Sequence, residues 1–208
     1  MISAVLFDFG GVILSSPFEA FAAYEERVGA APGTIRSINA TNPDDNAWAR
    51  LERSDVDIDG FVELFEAEAR TLGHELSGAE VLECLRGEVR PEMVRAIQLL
   101  RERFAIALLT NNFVTGSPDW SAGGSFADIV ALFDVVVESS RVGVRKPERR
   151  FYEIALEELE IGPTEAVFLD DLGINLKPAR EMGMTTIKVV DPDVALRELG
   201  AVVGMDLR

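Results

Sequence analysis

Five short apolar runs, each ending in polar or acidic residues, limit what this chain can fold into. They are AVLFDFGGVIL (4–14), IALLTNN (106–112), DVVVESS (134–140), AVFLDD (166–171) and TTIKVVD (185–191). Short apolar runs that stop at turn residues read as buried parallel strands. Helical patterns separate the later runs: PEMVRAIQLLRERF (91–104), PERRFYEIALEELEI (147–161) and NLKPAREMGM (175–184), with DVALRELGAVVG (193–204) after the last. Proline near the start of the first two suits a first helical turn. The alternation predicts an α/β fold, a doubly wound, parallel, five-stranded Rossmann-like sheet.

Residues 16–90 interrupt this pattern. They hold no strand-like run, and PFEAFAAYEERVG, DDNAWARLERSD, DIDGFVELFEAEARTLG and SGAEVLECLRG read as short amphipathic helices. The expected organisation is a core of residues 1–15 and 91–208 with a small all-helical cap, 16–90, inserted after the first strand. Such an insertion lies over the carboxyl ends of the strands, where open α/β sheets bind ligands.

The strand ends carry the chemistry. Asp8 closes the first run, and Gly10 and Gly11 let the backbone approach a ligand closely. Thr110, Asn111 and Asn112 close the second, Lys146 precedes a helix beyond the third, and Asp170 and Asp171 close the fourth, with Asn175 just after. A parallel sheet gathers these positions along one edge. Carboxylates and carbonyls suit Mg²⁺. The metal and Lys146 would neutralise a phosphate whose oxygens Thr110 and nearby amides hold. A carboxylate can then attack phosphorus and form an acyl-phosphate. Taken singly, each residue has a plainer role; the acid pair, for example, reads as a helix cap beside a surface acid. Their joint placement at successive strand ends is what points to a site.

Charge narrows the partners. Lys and Arg total 20 against 36 Asp and Glu, a net charge of −16. Such a surface repels nucleic-acid and anionic lipid phosphates, so the expectation is no nucleic acid and no membrane. An anionic substrate would need a local cation to hold it. With Cys84 alone, no internal disulfide forms. The first strand begins too early for a leader, and no apolar run nears the roughly 20 residues of a membrane span. A cytoplasmic location is the expectation.

Four motifs in order, DFGGV, LLTNN, RKP and FLDDLGINL, with a helical insertion between the first two, resemble the haloacid dehalogenase superfamily over nearly the full length. The resemblance implies Asp8 as nucleophile and metal ligand. It makes Thr110, Asn111 and the Gly11 turn phosphate contacts and Lys146 the charge-neutralising lysine. Asp171 becomes a metal ligand, supported by Asp170, and Asn175 belongs to the fourth-motif loop. The cofactor implied is Mg²⁺ and the partner a small phosphorylated substrate. Typical phosphatases of the superfamily read DxD, and the second Asp acts as general acid and base. Here Gly10 leaves only a backbone carbonyl for the metal. General acid–base catalysis contributes about 10²–10⁴-fold, so leaving groups that need a proton should suffer most.

Two other readings share these residues. A haloacid dehalogenase also uses an Asp nucleophile without a second Asp, but it needs no metal, which the acid pair argues against. A binding or regulatory module would explain Gly10 but not the retained Asp8, Thr110, Lys146 and Asp171. Elsewhere, His74 reads as a solvent-facing loop residue, and Asp119 and Trp120 as turn or packing residues. Trp48, Phe61 and Phe65 read as cap core. Asp44, Asp45, Asp55, Asp57 and Asp59 read as helix caps and a solvated acidic face, because no correctly spaced Glu completes a calcium loop.

Overall fold

In the computed structural model, which describes residues 1–113 and 125–207, each of the five runs contributes a strand. They are β1 (Ala4–Phe7), β2 (Ala105–Thr110), β3 (Val135–Glu138), β4 (Ala166–Asp170) and β5 (Thr185–Lys188). They form one all-parallel sheet in the order β3-β2-β1-β4-β5. The order reverses between β1 and β4, the switch point at which such sheets open a ligand crevice.

Alternate strand residues face opposite layers, as a pleated sheet requires. Val5, Phe7, Ile106, Leu108, Val167 and Leu169 join one core with residues of α6 (Pro91–Leu100) and α11 (Pro192–Val203). Ala4, Leu6, Ala107, Leu109, Ala166 and Phe168 join the other, with α9 (Arg149–Leu159) and α10 (Gly173–Met182). A one-residue slip would swap the two sets, so burial on both faces pins the register. Phe7 therefore pairs with both Leu108 and Leu169. The next residue, Asp8, emerges at the carboxyl edge beside Asp170, its N–H donating to the Leu169 carbonyl at 2.9 Å.

Residues after the first strand are helical: α1 (Phe18–Val28), α2 (Thr34–Ala40), α3 (Ala47–Glu52), α4 (Ile58–Thr71) and α5 (Gly78–Glu83). They share a hydrophobic core of their own that includes Trp48, Phe61 and Phe65, with Trp48 and Phe61 ring centroids 4.6 Å apart. The chain enters and leaves this layer through an antiparallel bridge between Leu14 and Val89. The acidic residues act as expected of caps and surface pairs. Asp57 caps α4 through the Gly60 N–H, Asp45 pairs with Arg50, and Asp55 pairs with Arg53.

The sequence patterns do not reveal α2. Its start has no Ser, Thr, Asp or Asn cap; Gly33 sits there at φ 83°. The free N–H groups are met instead from α1, where the buried Glu25 carboxylate accepts from Gly33 at 2.7 Å and Ile35 at 2.8 Å. A cap supplied eight to ten residues upstream leaves no local signature. The short helices α7 (Ser125–Val130) and α8 (Ser139–Val142) flank β3. Among the described residues no helix is long and apolar enough to cross a membrane.

Candidate active site

Beyond β1 the chain makes a wide turn over Phe9–Ile13, closed by the Leu14 N–H on the Phe9 carbonyl, and the Asp8 carboxylate accepts from the Phe9 N–H at 2.7 Å. The two glycines of this turn differ. Gly10 has ordinary torsions, φ −68° and ψ 135°, and a Cβ built there meets nothing within 4 Å. Gly11 sits at φ 73°, and a Cβ there would lie 2.2 Å from Asp171 Oδ2. Gly11 is thus glycine for two reasons, a left-handed backbone and the room taken by Asp171. Neither reason applies at Gly10.

Lys146 links the carboxylates. Its Nζ lies 2.7 Å from Asp8 Oδ1 and 2.8 Å from Asp170 Oδ2, with the lysine only 1% exposed. Asp170 is fully buried. Oδ1 accepts from the Leu172 N–H at 2.8 Å, and Asn175 Nδ2 donates to both carboxylate oxygens. Asn175 is itself held by the Tyr152 hydroxyl, which donates to its carbonyl at 2.7 Å. The Asp170 carboxylate is thereby saturated, which suits a buttress better than a metal ligand. Oxygens of Asp8, Asp170 and Asp171 all fall within 4.8 Å of one another.

Three carboxylates cluster around one ammonium here. Burial pushes Asp8 well above its usual range; Lys146 pulls it back, while Asp170 and Asp171 add to the rise. Burial and the Asp170 charge push Asp171 up to about 6. Burial works to lower Lys146, but the charges of Asp170 and Asp8 outweigh it and leave its pKa raised. The cluster is short of positive charge.

A cavity of about 340 Å³ opens above these groups. Asp8, Gly10, Asn111, Lys146, Asp171 and Asn175 line its floor, while Phe18, Phe21, Trp48 and Glu52 come from the helical layer. Of the residues expected at the site, Thr110, Gly11 and Asp170 do not line the cavity. Thr110 is half-buried at the end of β2, where its hydroxyl makes a long 3.5 Å contact with the Asn111 carbonyl. The Asn111 side-chain amide is engaged within the protein. Its Nδ2 donates to Glu52 Oε2 and to the Lys146 carbonyl, both at 3.0 Å, and its Oδ1 accepts from the Lys146 N–H at 2.8 Å. His74 does not line the cavity, and Asp119 and Trp120 lie outside the described residues.

Sequence reasoning missed Glu52 and Arg145, which both line the cavity and form an ion pair across the two layers. Burial raises the Glu52 carboxyl pKa, against the opposing pull of Arg145. It also missed Arg90, whose Nη1 donates to the Gly11 carbonyl at 2.9 Å and ties down the turn.

A turn led by an acid after the central strand, a lysine between two acids and a fourth-strand acid pair point to a hydrolase of one fold family. A model of haloacid dehalogenase-like hydrolases matches residues 2–183, and the chain belongs to that family. It is 35% identical to acyl-CoA dehydrogenase family member 10 of Mus musculus over 98% of its own length, but spans only 19% of that relative. It is 29% identical to the sesquiterpene phosphatase astK of Aspergillus oryzae, over 97% of this chain and 96% of the other. Among solved structures, a family enzyme from Bacteroides thetaiotaomicron in complex with magnesium and inorganic phosphate superposes with a TM-score of 0.60 at 21% identity. That match covers 90% of this chain and 94% of the other.

Proposed function

We propose that this chain is a Mg²⁺-dependent phosphatase acting on a small phosphorylated metabolite through a phospho-aspartate on Asp8. The observation that carries the reading is the Lys146 ammonium bridging Asp8 and Asp170 beside Asp171. A buried carboxylate with a cation at hydrogen-bond distance, on the floor of a cavity, is an attacking group waiting for a dianion to be neutralised. Phosphatase and magnesium–phosphate relatives support the same chemistry.

The donor set fits Mg²⁺. Asp8 and Asp171 offer hard carboxylate oxygens, Gly10 offers a carbonyl, and the local excess of negative charge calls for a cation. Asp8, Asp171 and the Gly10 carbonyl would hold it, and when bound it supplies charge neutralisation for the phosphate. Lys146 supplies the second cation. Asp170 and Asn175 hold Lys146 in place, and the missing side chain at Gly11 leaves room for the Asp171 carboxylate. The helices over residues 16–90 act as a cap, and their apolar side chains would cover the carbon body of the ester. With glycine at position 10, no side chain there protonates the leaving oxygen, so activated esters should react best.

The test is hydrolysis of p-nitrophenyl phosphate and a panel of metabolite phosphates with and without Mg²⁺. Turnover that needs Mg²⁺ and stops on chelation is expected. Metal-independent release of halide from a 2-haloacid, with no phosphatase activity, would replace this reading with a dehalogenase. No turnover of either class would favour a binding module.

A further inference from the structure

The ion pair between cap and core does more than hold the layers together. Glu52 ends α3, and its Oε2 accepts from two core donors, Arg145 Nε and Asn111 Nδ2. Both donors adjoin Lys146. Arg145 precedes it in the chain, and Asn111 brackets its peptide, bonding to the N–H at 2.8 Å and the carbonyl at 3.0 Å. Arg145 also reaches back into the cap, where Nη1 donates to the Pro43 carbonyl at 3.1 Å.

The Glu52 and Arg145 side chains are each 15% exposed. The second cap–core ion pair is more open: Arg53 meets Glu148 at 3.5 Å, and the glutamate is 41% exposed. Exposed pairs contribute little, whereas a desolvated pair is directional and intolerant of losing one partner. Among the described residues, Glu52 is the one cap carboxylate bonded to both neighbours of the Lys146 peptide. α3 is anchored in the cap core by Trp48 and Leu51, so Glu52 moves with the cap.

We propose that Glu52 is a positioning residue that couples cap closure to the placement of Lys146. With the cap closed, Glu52 gives Arg145 and Asn111 a shared acceptor, and together they fix the peptide from which Lys146 reaches Asp8. With the cap open, that acceptor leaves and the Lys146 peptide loosens. Glu52 acts through its two partners and touches no reacting atom. Charge neutralisation at Asp8 is then complete only when the substrate is covered.

This inference rests on the phosphatase reading, and the test separates the two. Glu52→Gln, Arg145→Met and the double variant are assayed with p-nitrophenyl phosphate and Mg²⁺, and hydrogen exchange is followed in the segment holding Lys146. Each single variant should lower kcat about tenfold, as expected when a charged hydrogen-bond partner is lost, with a smaller change in KM. The double variant should be little worse than either single one. Exchange at the Lys146 segment should quicken while the central strand β1 stays protected. If Glu52→Gln does not fold, Arg145→Lys, which keeps the charge but not the planar fork, carries the same test. A role confined to cap stability would lower Tm and leave kcat and Lys146 exchange unchanged. That result, or additive losses in the double variant, would overturn the proposal. If the native chain hydrolyses no phosphate, the phosphatase reading fails, and exchange alone still decides whether Glu52 holds the Lys146 peptide.

Discussion

Lys146 Nζ lies 2.7 Å from Asp8 Oδ1, and no other described cation pairs with that carboxylate. The lysine arrives from the segment before α9 and the acid from the end of β1, so the fold brings together groups 138 positions apart in the chain. Removing the ammonium should be felt twice. Lys146→Ala should abolish most turnover and destabilise the fold by about 3–5 kcal/mol at neutral pH, because buried carboxylates lose their partner. The sign with pH follows from Asp8. Burial already raises its folded-state pKa, and without Lys146 it rises further. The folded variant then binds protons more tightly than the unfolded one, so stability returns as pH falls. Urea melts near pH 8 and pH 5.5 should show the smaller loss at the lower pH. Equal losses at both would contradict the pairing.

Magnesium affinity should fall in mild acid. Asp171 titrates at about 6 instead of its ordinary 3.8, so protons compete with the metal below that pH. The same shift means that the metal-free fold loses stability as pH rises from about 4 toward 6, and that Mg²⁺ restores it above. Calorimetric titration with Mg²⁺ near pH 7.5 and pH 5 should show affinity lower by about tenfold or more at pH 5. Affinity that is flat across this range would remove Asp171 from the ligand set.

Gly10 can accept a side chain, and Gly11 cannot. At Gly10 the torsions are ordinary and a Cβ meets open space, so Gly10→Asp should fold. It should raise turnover of alkyl phosphates more than aryl ones, by up to about 10²-fold, because only poor leaving groups need the proton. A plot of log rate against leaving-group pKa should be steep for the native chain and flatter for Gly10→Asp. A flat native plot would mean that another group already donates the proton. Gly11→Ala should instead lose Mg²⁺ binding, since its Cβ would occupy the place of the Asp171 carboxylate.

The strands and their ends were legible because their signal is local. Runs such as AVLF and AVFLD are buried on both faces, and acids or glycines mark where they stop. That was enough to bring Asp8, Lys146, Asp170, Asp171 and Asn175 into one cluster. What stayed hidden depends on distant partners. The α2 helix owes its start to Glu25 on another helix. Glu52 meets Arg145 93 positions away, across two layers. The resemblance made Asn111 a phosphate contact, and nothing in the local sequence shows that its amide meets Glu52 and the Lys146 peptide. The two glycines looked alike in sequence, and only their torsions and the nearness of Asp171 separate them.

One measurement decides directly whether Asp8 is the nucleophile. The chain is mixed with a phosphate monoester labelled in its phosphoryl group, quenched in acid within one turnover, and digested to peptides. Without a carboxylate at position 10 to activate water, the intermediate should break down slowly and accumulate. Close to one label per chain is expected on the peptide that holds Asp8, released by hydroxylamine and absent from Asp8→Asn. Phosphate released at the native rate by Asp8→Asn, with no label on the Asp8 peptide of the native chain, would contradict it.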